Sequence, residues 1–234
     1  MNQTTAKDGL FRKDGVSFLL AFLMITICFA LWGFANDVTN PLVSSFGKIF
    51  QISKFQSSFV QVAFYLGYFC MAFPAAIFIQ RFSFKSGVML GLLLYAVGAL
   101  AFIPARNTGM FYAFLPAYFI MTCGLSFLET SCNPYVYTMG SAETATRRLN
   151  FAQAFNPIGA ITGAFIALTY VSAGLDPTDS AERGQLMTSD PARFEVIKAH
   201  DLDILVQPYL YIGIVIFVLL FAIWLTRMPK TSDT

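Results

Sequence analysis

The chain contains 234 residues, of which 56% are hydrophobic and only 12% are charged, and its net charge is +2. A soluble domain carries about a quarter charged residues, so this chain has too little polar surface to coat a globule and lipid must solvate much of it. The small net charge argues against a nucleic-acid partner. The four cysteines lie inside apolar runs without disulfide or zinc-site spacing, and a single histidine cannot build a metal cluster, so we expect no metal site.

Six apolar segments are long enough to cross a bilayer, which takes about 20 residues. They are predicted at 16–41, 56–79, 84–104, 110–139, 149–173 and 207–227. The first is too long for a signal peptide and no cleavage site follows it, so we expect it to remain as a transmembrane helix. Helices are expected because backbone polar groups in hydrocarbon must be satisfied within each segment. The predicted organisation is a cytoplasmic segment 1–15, a six-helix domain 16–227 with an outside loop at about 174–206, and a terminal segment 228–234.

The lysines and arginines that flank these segments predict that both ends of the chain are cytoplasmic. With that orientation the inside pieces contain Lys7, Arg12, Lys13, Arg81, Lys85, Arg147, Arg148, Arg227 and Lys230. The outside pieces contain fewer basic residues, and three of those lie in the long loop 174–206 beside seven carboxylates. Long loops count little in this rule, so the prediction rests on the short connections.

Three Asn-Pro pairs lie in or beside the apolar segments: Asn40-Pro41, Asn133-Pro134 and Asn156-Pro157. Asn-Pro marks a turn in soluble chains, whereas inside a helix proline leaves the carbonyl four residues earlier without its partner. The stretches "FANDVTNPLV" (34–43) and "FLETSCNPYV" (127–136) share Phe, Asn, Pro and Val at equal spacing, in segments one and four. This match predicts two three-helix inverted repeats, an arrangement known from transporters, although four matches in ten residues also arise by chance.

Polar residues at helical spacing follow one face of four predicted helices. They are Asn36, Asp37 and Asn40 on the first, Gln61, Tyr65 and Tyr68 on the second, Thr122, Ser126, Glu129 and Asn133 on the fourth, and Asn150, Gln153 and Asn156 on the fifth. Asp37 and Glu129 are the two carboxylates within the predicted segments, and an ionised carboxylate at mid-membrane costs about 2.5–3.5 kcal/mol, which usually marks an ion or substrate path. We therefore predict a shared hydrophilic cavity. In the alternative interpretation the amides only join helices, and Asp37 lies in water at the outer mouth.

The sequence contains no nucleophile elbow, Walker loop, GxGxxG or HExxH motif, and no interfacial cluster of His, Asp or Cys. These absences favour a carrier over an enzyme. The competing hypothesis is a self-assembling six-helix membrane protein with a structural or partner-binding role, in which the polar faces serve only for packing, or a fragment that does not transport.

Four stretches, "FALWGFANDVTNPLV" (29–43), "QVAFYLGYF" (61–69), "GLSFLETSCNPYV" (124–136) and "RRLNFAQAFNPIGA" (147–160), resemble the fucose permease branch of the major facilitator superfamily. The resemblance also includes "RFSFKSG" (81–87) and covers about residues 18–170. It implies proton-coupled transport of L-fucose or a related hexose across the bacterial inner membrane by alternating access. Members have two six-helix halves, so this chain corresponds to the N-terminal one, and "RMPKTSDT" is similar to the start of the linker to the missing half.

The resemblance also implies roles for individual residues. The family's helix-four glutamate falls on Glu129, which is expected to couple the proton, with Asp37 as a second candidate because the family's helix-one aspartate position is Asn40 here. The residues expected to bind the sugar are Glu129, Asn133, Gln153, Asn156, Asn40, Asn36, Tyr65 and Gln61. The expected partners are the sugar, the proton, membrane lipid and the second half, with no cofactor beyond the coupling ion.

Overall fold

The computed structural model describes residues 10–13, 16–226 and 228, so most of the predicted terminal segments 1–15 and 228–234 lies outside the described residues. A short antiparallel hairpin of β1 (Arg12–Lys13) and β2 (Val16–Ser17) precedes the helices. The helices are α1 Leu19–Phe50, α2 Lys54–Ser57, α3 Phe59–Arg81, α4 Phe84–Leu100, α5 Phe102–Thr108, α6 Phe114–Thr138, α7 Ala145–Gln153, α8 Phe155–Ile166, α9 Ser180–Ser189 and α10 Pro191–Leu225. Single 3-10 turns at Phe111–Ala113 and Ala142–Thr144 and a π-helical turn at Ala167–Ser172 connect or extend them.

Within the described part of the chain, six helical stretches are long and apolar enough to cross a bilayer. We name them spans 1 to 6: Leu19–Phe50, Lys54–Arg81, Phe84–Thr108, Phe111–Thr138, Ala142–Ser172 and Pro191–Leu225. Large apolar side chains cover their outside, with Phe69 82% exposed and Ile161 72% exposed. Such a surface is stable in lipid or against another protein but not in water. The predicted all-α membrane fold with six transmembrane helices is confirmed.

The last span begins earlier than the sequence predicts, at Pro191 rather than at 207. The predicted outside loop 174–206 therefore contains α9 and the first four turns of α10. Charged residues lower the hydropathy of these turns and hide them from an apolar-segment search, but Phe194 and Ile197 are buried and hold them in place. The sequence predicted that Asp37 and Glu129 are the two carboxylates within the helical spans. This prediction is wrong, because α10 also carries the fully buried Asp201.

The three prolines of the Asn-Pro pairs act differently on their helices. Helix α1 continues through Pro41 and α6 through Pro134, so neither pair forms a turn. Span 5 is interrupted at Ala154, between α7 and α8. Since Pro157 has no N–H, the carbonyl of Gln153 lacks its helical partner, and the interruption falls where that bond would form.

Helix packing follows the internal repeat. Span 1 packs along span 5, and span 2 packs along span 4. Matching spans 1, 2 and 3 to spans 4, 5 and 6 converts the first of these pairs into the second. At the first crossing the backbone of Gly33 approaches Asn156 and Ala160 so closely that a Cβ would clash. At the second, Ser126 Oγ lies 3.4 Å from the carbonyl oxygen of Tyr68. Ser126 follows Gly33 by the same offset along the chain as Asn133 follows Asn40, so spans 1 and 4 enter the two crossings through equivalent residues.

Candidate substrate cavity

A cavity of about 300 Å³ lies between spans 1 and 2. Its lining residues are Trp32, Asn36, Thr39 and Asn40 from span 1 and Gln61, Phe64, Tyr65 and Tyr68 from span 2. Steps of three and four residues place each set on one face of its helix. Four predicted site residues, Asn36, Asn40, Gln61 and Tyr65, therefore lie together. Its volume is at the lower end of the range for small-molecule sites.

Asp37 does not line this cavity, although the sequence groups it with Asn36 and Asn40. Its side chain is half-buried. One residue corresponds to about 100° of rotation around a helix, which turns Asp37 away from the face that carries Asn36. The side chains of Asn36 and Asp37 therefore face different surroundings.

An aromatic pair closes the inner wall of the cavity. The indole Nε1 of Trp32 donates a hydrogen bond of 2.6 Å to the hydroxyl oxygen of Tyr68. The sequence-based site omitted both Trp32 and Tyr68, yet a signal was present, because Trp32 lies one turn before Asn36 and Tyr68 one turn after Tyr65.

A second polar cluster joins spans 4 and 5. Gln153 Nε2 donates to Asn133 Oδ1 at 2.9 Å, and Asn133 Nδ2 donates to the backbone carbonyl of Glu129 at 3.0 Å. Asn156 Nδ2 donates to the carbonyl of Phe29 in span 1 at 3.4 Å. In this conformation Asn133, Gln153 and Asn156 thus make inter-helix or local bonds, and the exposed Gln153 remains open on one side.

Glu129 lies between the two clusters on span 4. Ser126, one turn earlier on the same face, touches the backbone carbonyl of Tyr68. The Glu129 side chain is half-buried, and its carboxylate makes no hydrogen bond with another described side chain. The carboxylate is therefore available to a partner, although Glu129 is not among the residues that line the cavity.

The chemistry of this lining suits a neutral solute rich in hydroxyl groups. Asparagine and glutamine offer both donors and acceptors, and indole and phenol rings offer apolar faces with one polar atom. Among the described residues that line the cavity there is no lysine, arginine or histidine. Likewise no group of three potential metal ligands occurs in the part of the chain that the structure describes.

A bundle of six apolar spans with an internal polar cavity is an architecture known from membrane transporters. Residues 20–234 match the Major Facilitator Superfamily, and the chain belongs to this family. It is 47% identical over 217 residues to an L-fucose-proton symporter of Haemophilus influenzae, covering 92% of this chain and 51% of that protein. It is 31% identical over 214 residues to a glucose/galactose transporter of Brucella abortus, covering 91% of this chain and 47% of that protein.

The fold is similar to the crystal structure of a Major Facilitator Superfamily transporter, FucP, in the outward conformation. The TM-score is 0.78 at 31% sequence identity, and the match covers 93% of this chain and 53% of that one. The chain therefore spans about half the length of the proteins it matches. The resemblance expected from the sequence, to the N-terminal half of a fucose permease, is confirmed at the level of family and fold.

Proposed function

We propose that this chain is the N-terminal half of a proton-coupled sugar symporter that carries L-fucose or a related hexose. The observation that carries the proposal is a neutral polar and aromatic cavity between spans 1 and 2, with the half-buried carboxylate of Glu129 on span 4, which packs against span 2, in a family of transporters. Transport takes place by alternating access across the bacterial inner membrane, with both ends of the chain in the cytoplasm. The positive-inside distribution of lysine and arginine supports this orientation.

The cavity supports a sugar as the transported solute. A charged solute would require an opposite charge that a cavity lined by Asn36, Asn40 and Gln61 does not supply. A hexose matches it better, because each hydroxyl can donate to an amide oxygen and accept from an amide nitrogen. Trp32 and Tyr65 can cover the apolar face of the ring.

The exposed faces of spans 2 and 5 support a missing second half. These two spans are the least covered by the rest of the bundle. Span 2 exposes 65% of Tyr65 beside the polar cavity, together with Phe69 and Phe73. A polar cavity open to hydrocarbon would be costly, so another protein surface must cover it. A C-terminal six-helix half provides this surface, and rocking of the two halves around the cavity gives access to each side in turn.

Glu129 is the proposed proton carrier. A protonated carboxyl donates a hydrogen bond and carries no charge, whereas the ionised form accepts bonds and is costly in the membrane. Protonation therefore lowers the cost of moving the loaded carrier between its two states. Asp37 is the second candidate, and Asn133, Gln153 and Asn156 are proposed to turn toward the sugar when it binds.

The test uses the complete transporter, with the second half supplied by the reading frame beyond Thr234 or by the Haemophilus relative. Uptake of labelled L-fucose, glucose and galactose is measured with and without a proton gradient. In Glu129→Gln we expect gradient-driven accumulation to collapse while exchange of sugar across the membrane partly survives, because glutamine keeps the hydrogen bonding but cannot titrate.

The matched control is Glu143→Gln, which removes an exposed carboxylate from the short turn at the start of span 5. It should leave both accumulation and exchange unchanged. Full accumulation by Glu129→Gln would refute its role in coupling, and loss of accumulation in Asp37→Asn instead would move that role to span 1. If no hexose is taken up by the unaltered protein, the proposed substrate class is wrong.

A further inference from the structure

A second cavity, of about 330 Å³, lies on the outside of the bundle between spans 3 and 6, and we call it the 3–6 groove. Its walls include Met89, Leu90 and Leu93 of span 3 and Phe217, Phe221 and Trp224 of span 6. Steps of three and four residues place each set on one face of its helix. Three of the walls, Leu93, Phe221 and Trp224, are also exposed on the surface of the bundle. The groove therefore suits an apolar chain that comes from the surrounding lipid.

One end of the 3–6 groove carries a positive charge. Lys85 precedes Met89 by four residues, and Met89 precedes Leu93 by four, so Lys85 continues the groove face of span 3 by one turn. Its Nζ donates to the carbonyl oxygens of Thr226 at 2.8 Å and Trp224 at 3.3 Å, at the end of α10. An ammonium has three donors, so one remains for another acceptor. Among the ion pairs of the described residues, none pairs Lys85 with a carboxylate.

The charged end of the groove lies where the two spans reach the membrane surface. Lys85 belongs to the first turn of span 3, and Trp224 belongs to the last turn of span 6. Tryptophan is enriched at this depth, where its ring lies at the level of the lipid headgroups. With both chain ends in the cytoplasm, as proposed above, this end faces the inner leaflet. Anionic lipids give that leaflet its negative surface potential, and basic pockets between helices on this side bind their headgroups.

We propose that the 3–6 groove binds one anionic phospholipid of the inner leaflet. One acyl chain lies along the groove, which extends about 10 Å from Trp224 to Phe217 at the helical rise of 1.5 Å per residue. The phosphate of the headgroup accepts the remaining N–H of Lys85, so the same ammonium joins the lipid to the end of span 6. The positive charge at its end selects an anionic lipid over a neutral one.

The position of the groove also argues against the missing second half as its occupant. That half is proposed to cover spans 2 and 5, which are the least buried spans. The 3–6 groove is formed by the other pair of spans and includes no residue of the polar cavity. The lipid site therefore does not depend on which solute the cavity binds.

Trp224 is a built-in probe for an acyl chain in the groove. The chain has two tryptophans, Trp32 and Trp224, so in Trp32→Phe the indole in the groove is the sole one. This chain is reconstituted in phosphatidylcholine vesicles that contain a small fraction of a brominated lipid, because bromine on an acyl chain quenches an indole that it touches. The brominated lipid is either anionic phosphatidylglycerol or phosphatidylcholine, which has no net charge. We expect a preference of about fivefold for the anionic lipid, the size that one lysine near an anionic surface contributes.

Three variants in this background test the parts of the site. Lys85→Gln removes the charge, and the two brominated lipids should then quench equally. Arg147→Gln is the matched control, because it removes an exposed positive charge near the start of span 5, and it should keep the preference. Leu93→Phe places a larger side chain in the groove and should reduce quenching by both lipids. Circular dichroism confirms that each variant keeps its helical content.

Each contrary result overturns the proposal for a different reason. Equal quenching by the two lipids before Lys85 is changed would show an ordinary lipid-facing surface. A preference that persists in Lys85→Gln, or that falls equally in Arg147→Gln, would assign the attraction to overall surface charge. Unchanged quenching in Leu93→Phe would place the acyl chain outside the groove. If neither lipid quenches Trp224, a protein surface such as a second copy of this chain covers the groove. Because the readout involves no sugar, failure of the proposed substrate would leave the lipid site intact.

Discussion

Replacing Asp201 with asparagine removes the carboxylate that pairs with Arg183. Arg183 belongs to the cap, which we define as residues 174–190 between spans 5 and 6. Both side chains are fully buried, and Arg183 Nη2 lies 2.7 Å from Asp201 Oδ2. Asp201 Oδ1 also accepts from the backbone N–H of Asp176 at 2.8 Å. Asparagine keeps the size and one acceptor oxygen but not the charge, so the guanidinium would remain buried without its partner.

The size of the effect follows from the contacts that remain. Breaking a buried ion pair by removing one partner costs about 3–5 kcal/mol. Arg183 still donates to the carbonyls of Thr178 at 2.9 Å and Asp176 at 3.0 Å, and the Asp176 carboxylate lies nearby. These contacts favour a cost at the lower end of this range, about 3 kcal/mol. A loss of this size corresponds to a rise of about 100-fold in the equilibrium constant for opening of α9.

Hydrogen exchange of the α9 amides measures this opening directly. The matched control is Asp203→Asn on the same helix, whose ion pair with Arg106 is partly exposed, with side chains 48% and 37% accessible. Such a pair contributes about 0–1 kcal/mol, so the control should change exchange less than about tenfold. The double variant Arg183→Met, Asp201→Asn should recover much of the loss because no unpaired charge remains. Equal exchange in Asp201→Asn and Asp203→Asn would show that the guanidinium reaches water and would refute the reasoning.

Two further predictions concern helix packing and acid sensitivity. Gly159→Val should lower the thermal unfolding midpoint in detergent, because a Cβ would meet the Ala30 backbone carbonyl. The loss of folding free energy should be about 1–3 kcal/mol or more. Gly47→Ala is the control and should leave the midpoint unchanged, because the nearest neighbour of its added Cβ is 3.9 Å away. Equal midpoints would show that the helices separate freely. Hydrogen bonds from the Thr178 hydroxyl and N–H hold the pKa of Asp176 below its ordinary value of 3.8. The stabilisation is complete above the ordinary pKa and is lost as the pH falls through the lowered pKa. Hydrogen exchange of the α9 amides should therefore rise in acid, and Asp176→Asn should abolish that pH dependence.

Hydropathy predicted the existence of every span but not the ends of those that carry charge. Span 5 begins at Ala142 rather than at 149, because Arg148 is buried instead of lying in a polar connection. Its guanidinium donates to the carbonyls of Val136 and Tyr137 at the end of α6, where orphan carbonyls attract a cation. Span 6 begins at Pro191. Its start signal was present in the sequence as Asp190 directly followed by a proline, and in the structure the Asp190 side chain accepts from the N–H of Arg193.

The contents of the candidate site were more predictable than its arrangement. Helical periodicity placed Gln61, Tyr65 and Tyr68 on one face, and all three line the cavity. Periodicity within a helix carries no information about which faces of different helices meet. For this reason the sequence could not predict that Gln153 bonds Asn133, or that the Trp32 indole bonds the Tyr68 hydroxyl. The sugar-binding and proton-coupling roles stay predictions that the transport experiments test.

The internal repeat explains why the two carboxylates of the Asn-Pro stretches face different surroundings. When Asn40 is matched to Asn133, the residue equivalent to Glu129 is Asn36, whereas Asp37 matches Thr130. Asn36 lines the cavity, and Glu129 lies one turn after Ser126, whose hydroxyl contacts the backbone carbonyl of Tyr68. Thr130 instead bonds the carbonyl of Ser126 in its own helix, and Asp37 likewise lies off the cavity face. Equivalent positions in the two repeats thus carry a neutral amide that lines the cavity and a titratable acid on span 4, which packs against span 2. Because the Glu129 position matches a residue that lines the cavity and the Asp37 position does not, we propose Glu129 ahead of Asp37 as the proton carrier.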